Sequence, residues 1–81
     1  MALDQLALNQ SARVRHLDAA AAGQPEERAR QLADIGFVPG EWVTVLGQAW
    51  PGGDPLVVRV GSSRFALRRA EAACVQLMPI G

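Results

Sequence analysis

The stretch Leu32-Ala33-Asp34-Ile35-Gly36-Phe37-Val38-Pro39-Gly40-Glu41-Trp42-Val43-Thr44-Val45 constrains this chain more than any other. It reads as the end of a helix, a left-handed stop, a tight turn and the start of a strand. Gly36 follows the last helical residue, where a chain leaving a helix needs positive φ and a Cβ is penalised. A Schellman stop there makes Phe37 the C″ residue and Leu32 the C3 residue, so their apolar side chains are expected to meet. Val38-Pro39-Gly40 supplies the turn, with Pro setting φ at the second position and Gly accepting positive φ at the third. Glu41-Trp42-Val43-Thr44-Val45-Leu46 is then rich in β-branched and aromatic residues, which predicts a strand running to about Trp50.

The rest of the chain arranges itself around that stretch. Leu3, Leu6 and Leu8 fit a short helical turn covering one end of the core. Ser11–Leu17 alternates as a first strand, with Val14 inward and Arg13 and Arg15 outward. Asp18–Gly23 is open between a loop and a helical turn that Gly23 ends. The helix is expected to begin at Pro25 as its first helical residue, with Gln24 as N-cap and Glu26 and Glu27 favoured by the dipole. Ala29, Leu32 and Ala33 give it an apolar stripe, and Glu26–Arg30 and Arg30–Asp34 are i,i+4 pairs on its other face.

Pro51-Gly52-Gly53-Asp54 is a dense turn cluster, after which Pro55 can only open a strand. Leu56–Val60 and Arg64–Arg68 form a hairpin around Gly61-Ser62-Ser63. The expected register pairs Val60 with Phe65 and Val58 with Leu67, leaving Val57, Arg59, Ala66 and Arg68 on the outer face. Arg69–Ala73 is one helical turn, and Cys74–Met78 a closing strand with Val75 and Leu77 inward. Five short strands and one inserted helix make a small mainly β barrel.

An 81-residue chain is read as a single domain over residues 1–81. Eight Arg, no Lys and eight acidic residues balance to a formal net charge of zero, which argues against a dedicated nucleic-acid binder. Cys74 is the only cysteine, so no intrachain disulfide forms. The first residues lack the basic and apolar regions of a signal peptide, and no run approaches the ~18 apolar residues of a membrane helix. A soluble, cytoplasmic protein is expected.

No paired acids, nucleophile with a base, or phosphate-cradling glycine loop is recognisable, so no catalysis and no cofactor are expected. A selective metal site needs three or four convergent ligands. His16 and Asp18, two apart on a strand, could hold a metal only weakly, and a solvated strand end explains them as well. Cys74 reads as a small residue in the wall of the barrel. Arg59, Arg64, Arg68 and Arg69 cluster on the hairpin, where they could meet an acidic partner or phosphate or simply guard a solvated sheet face. Trp42 and Trp50 lie eight apart on the predicted second strand; one is expected in the core and the other exposed as an interface aromatic. The partner-binding candidates are therefore Val57, Arg59, Arg64, Arg68 and Trp50.

Leu32-x-x-Ile35-Gly36-Phe37-x-Pro39-Gly40-x-x-Val43-x-Val45, followed by Gly53–Gly61 and Phe65–Ala72, resembles the small bacterial ferrous iron transport protein A (FeoA) family. The segment Ala19–Pro25 departs from it, since members usually have a shorter Gly-containing connection. The resemblance implies a small SH3-like five-stranded barrel without catalytic residues. It also implies an accessory role beside a FeoB-type membrane GTPase that imports Fe²⁺, by binding the transporter's cytosolic part. The alternative it leaves is an SH3-like regulator, related to the C-terminal domain of iron-dependent repressors. That alternative is weakened because the chain starts at Met1 with no helix-turn-helix before it. A metal chaperone is weakened by the scarcity of ligands.

Overall fold

The computed structural model describes residues 1–80. In chain order come a 3₁₀ turn (Leu3–Gln5), β1 (Ser11–Leu17), a second 3₁₀ turn (Ala20–Ala22), α1 (Glu26–Ile35), β2 (Trp42–Gln48), β3 (Leu56–Val60), β4 (Ser63–Leu67), α2 (Arg69–Ala72) and β5 (Val75–Leu77). The strands form one antiparallel sheet of order β4-β3-β2-β1-β5. β1 serves both halves of it. Its first residues pair with β2, Arg13 opposite Trp42, and its last with β5, Leu17 opposite Val75. A register shift between Val14 and His16 marks the crossing, and such irregularities bend a strand. The sheet curls without closing, so β4 and β5 are its edges. Leu3, Val14, Leu32, Phe37, Val58 and Val75 are among the fully buried core.

The helix stop forms as the sequence requires. Phe37 N–H donates to the Leu32 carbonyl at 3.0 Å and Gly36 N–H to that of Ala33 at 3.1 Å, the bond pair of a Schellman motif. Gly36 has φ +129°, and Leu32 and Phe37 share the core. Glu41 N–H then closes the Pro39-Gly40 turn on the Val38 carbonyl at 3.0 Å. The helix start differs by one residue: Pro25, with ψ 152°, is the N-cap itself and Glu26 is the first helical residue. The i,i+4 ion pairs expected on α1 do not form among the described residues; Arg28 instead bridges to Glu71 of α2 at 3.1 Å.

Two further expectations are overturned in β2–β4. β2 ends at Gln48, short of Trp50. Val45 pairs with Val58 but Gly47 with Val57, so Leu46 is the extra residue of a bulge. Beyond it, Ala49 N–H turns to the Pro55 carbonyl at 2.9 Å. Trp50 therefore stands in the β2–β3 connection at 92% exposure, Trp42 is 51% exposed, and neither tryptophan is in the core. The hairpin register also slides by two: Val60 faces Ser63, Val58 faces Phe65 and Leu56 faces Leu67. The two-residue turn Gly61-Ser62 makes a tighter closure than the loop expected. A two-residue slip preserves faces, so the inward and outward assignments hold.

Arg69 is not part of the exposed cluster. Its Nε donates to the Gly53 carbonyl at 2.7 Å, Nη1 to the Asp4 carbonyl at 3.1 Å and Nη2 to Gln48 Oε1 at 2.7 Å. Its backbone N–H donates to Asp54 Oδ1 at 3.1 Å. One guanidinium thus joins α2 to the N-terminal turn, the end of β2 and the β2–β3 connection. Gly53, at φ +73°, leaves it room, since a Cβ there would lie 3.2 Å from Nη2.

Gly36→Ala is expected to cost about 1–2 kcal/mol by backbone strain. The added Cβ would lie an ordinary 3.7 Å from Val60, so no clash contributes. Denaturant melts should show a lower midpoint at unchanged slope. Arg69→Met should cost about 2–3 kcal/mol, the loss of several charge-assisted hydrogen bonds from a half-buried site. Lys at this position should recover only part of it, because an ammonium lacks the fork that reaches three acceptors. Faster amide exchange at Gly53, whose N–H caps the Ala49 carbonyl at 2.8 Å, would locate the damage.

Candidate protein-docking face

Alternation along β1–β4 sends one set of side chains outward, and pairing lines them up. Arg64 on β4 lies opposite Arg59 on β3, Arg59 opposite Thr44 on β2, and Thr44 opposite Ser11 on β1. The Ser11 and Thr44 hydroxyls are 2.7 Å apart and share a hydrogen bond. On one side of this row Val57 faces Ala66, with Val57 40% exposed. On the other, Arg13 stacks over the Trp42 ring, its Cζ 4.8 Å from the centroid.

The electrostatics of the row are unusual. Arg59 and Arg64 are exposed and directly opposed, an arrangement that destabilises a sheet. Neither forms an ion pair among the described residues, and nor do Arg13 and Arg68. The nearby carboxylates are engaged elsewhere. Glu71 Oε1 accepts the Arg68 N–H at 3.1 Å while Oε2 holds Arg28. Asp54 accepts the Arg69 N–H, and Glu41 takes the Trp42 N–H at 2.9 Å.

Of the five residues expected to meet a partner, the structure brings Val57, Arg59 and Arg64 onto this face and sets Arg68 at its end as the N-cap of α2. Trp50 projects from the β2–β3 connection instead. Arg13 and Trp42 were not among the expected residues. The signal for them was the inward pair Val43 and Val45, which by alternation puts Trp42 outside. Ser11–Arg13, Trp42 and Met78–Ile80 line a shallow groove of about 250 Å³ beside them.

His16 points outward on β1, opposite Gln76. Asp18 lies beyond the strand end, where its Oδ1 accepts the Ala21 N–H at 3.0 Å. No group of three or more His, Cys, Asp or Glu that could hold a metal occurs among the described residues. Cys74 is buried. Burial pushes its thiol pKa up, Arg28 pulls it back in part, and Glu71 and Asp18 add to the rise. No helix is long and apolar enough to cross a membrane.

A profile of the FeoA domain matches residues 1–79. The chain belongs to the FeoA family. Among solved structures it is similar to Stenotrophomonas maltophilia FeoA complexed with zinc, described as a procaryotic SH3 domain protein possibly acting as a ferrous iron transport activating factor. That likeness has 41% identity and TM-score 0.81, over 96% of this chain and 89% of that one. Chlorobium tepidum FeoA is similar at 32% identity and TM-score 0.79, over 100% of this chain and 71% of that one. A manganese-dependent transcriptional repressor shares the fold at 18% identity and TM-score 0.79, over 99% of this chain and 41% of that one. Curated protein sequences returned no match. The mainly β, SH3-like fold is thus that of an iron-transport family.

Cys74 is expected to resist alkylation near pH 8 until denaturant exposes it. Its raised pKa means the fold disfavours the thiolate. Cys74 should therefore leave stability unchanged below the ordinary thiol pKa of about 8.5 and lower it as pH rises from there toward the folded-state value. Urea melts across that range should show a decline that Cys74→Ala lacks.

Proposed function

We propose that this protein is a cytoplasmic, non-enzymatic accessory of ferrous iron uptake that docks on the cytosolic part of a FeoB-type membrane GTPase transporter. Family membership supports the link to iron transport. The observation that carries docking is the opposed pair Arg59 and Arg64, exposed and without a counter-charge among the described residues. An acidic partner surface relieves that repulsion, while Val57 and Ala66 beside it supply apolar contact area, the mixture an interface uses. Arg68 extends the same surface at the end of β4, and Trp50, exposed on the β2–β3 connection, offers a separate aromatic contact. Charge at such a rim acts mainly on association rate, so binding should weaken with salt. Phosphate would satisfy the same arginines, but the apolar pair Val57 and Ala66 beside them favours a protein surface.

The test is Arg59→Glu combined with Arg68→Glu, assayed by capture of the transporter's cytosolic domain and by iron uptake. Arg59→Glu sets a carboxylate opposite Arg64, so folding should be unharmed or improved by a few tenths of a kcal/mol. Binding and uptake should both fall. A folded variant that binds and supports uptake at wild-type level would remove the hairpin face from the reading.

A further inference from the structure

β4 is hydrogen-bonded to β3 alone. The hairpin determines which of its main-chain groups that pairing consumes. Val60 and Ser63 flank a two-residue turn and so form a hydrogen-bonded pair, and by alternation Val58–Phe65 and Leu56–Leu67 are hydrogen-bonded too. Arg64 and Ala66 occupy the intervening positions, where N–H and C=O groups point away from β3. No other backbone hydrogen bond takes them up among the described residues. The far edge of the sheet is treated differently. Ala2 bridges to Gln76 on β5, and Leu77 N–H donates to the Met1 carbonyl at 2.8 Å. The chain covers one edge with its own first residues and leaves the other open.

We infer that the open edge of β4 accepts an added strand, an extended acidic segment of a partner protein. The inference rests on the docking reading above and specifies how the partner is held. An added strand would bond to the N–H and C=O groups of Arg64 and Ala66 and set alternate side chains on the outer face. Acidic side chains there meet Arg64 and Arg68, with Arg59 behind them on β3. The intervening side chains of the added strand turn inward beside Phe65, which is only partly buried, and there apolar residues fit. The segment is thus one that alternates acidic and apolar residues. Charge disfavours a second copy of this chain, since two-fold pairing about Ala66 would set Arg64 of one copy against Arg68 of the other.

The probe is a synthetic octapeptide alternating glutamate and valine, titrated into the ¹⁵N-labelled full chain up to about 1 mM. At saturation the Arg64 and Ala66 amides should exchange with solvent at least about tenfold more slowly, and a glutamine-for-glutamate peptide should bind at least about tenfold more weakly. Ala66→Pro deletes one outward N–H and spares the β3 ladder, a substitution that edge strands tolerate; it should stay folded and lose about tenfold in peptide affinity. Absence of binding, binding without protection of Arg64 and Ala66, or full affinity in folded Ala66→Pro would each overturn the inference. Should Ala66→Pro not fold, wild-type exchange alone decides. A dimer in sedimentation with these amides protected, or protection by a single-stranded oligonucleotide and not by the peptide, would also overturn it. If Arg59→Glu with Arg68→Glu abolishes capture of the transporter domain while folded Ala66→Pro captures it normally, docking stands and strand addition falls. If the peptide behaves as expected but the charge-reversed protein still captures that domain, the docking reading fails and the edge site stands.

Discussion

One guanidinium holds together parts of this protein that the sheet leaves loose. The β2–β3 connection and the N-terminal turn have little ladder pairing of their own, so each needs partners for its carbonyls away from the strands. Arg69 provides them from a single half-buried position, donating to Gly53, Asp4 and Gln48. Its rigid fork suits the task in a way a flexible ammonium would not. The consequence reaches the core, because the N-terminal turn anchored in this way carries Leu3, which is fully buried there. Arg28 does something similar on the other side, reaching from α1 to Glu71 of α2. Both arginines link elements that the chain connects only through long detours.

That division of labour explains what could be read from the sequence. The Gly36 stop, the Pro39-Gly40 turn and the inward faces of β1, β3, β4 and β5 were legible, because each follows from local backbone preference or a two-residue period. The hairpin register was not. A slip of one residue exposes the core and is excluded by pattern, whereas a slip of two leaves every face unchanged and is settled by turn geometry at Gly61-Ser62. The bulge at Leu46 was likewise silent, and with it the true place of Trp50. Arg69 was read as one more hairpin arginine, since nothing in its neighbours signals three acceptors brought from distant segments. At the candidate face, alternation placed Val57, Arg59 and Arg68 outward; Arg64 followed from the same alternation, while the pairing of Arg13 with Trp42 needed the β1–β2 register.

Six of the eight arginines therefore fall into two groups that composition cannot separate. Arg28 and Arg69 are engaged inward and serve the fold. Arg13, Arg59, Arg64 and Arg68 are outward, and the acidic residues that balance them in the net charge lie away from the row or are engaged by backbone and helix contacts. A neutral protein thus carries a one-signed sheet face. Neutrality describes the whole chain, whereas encounter with a partner responds to the local field.

The N-terminal residues that cover β5 have another effect. Met1 and Ala2 run beside Gln76 and Leu77, so the chain begins and approaches its end at the same place on the surface, across the sheet from β4. Joining the two by a short linker would disturb little, and new termini could be opened in the exposed β2–β3 connection around Trp50. A tether or label attached at either end would therefore sit at one seam of the surface, with the arginine-lined edge of β4 held away from it.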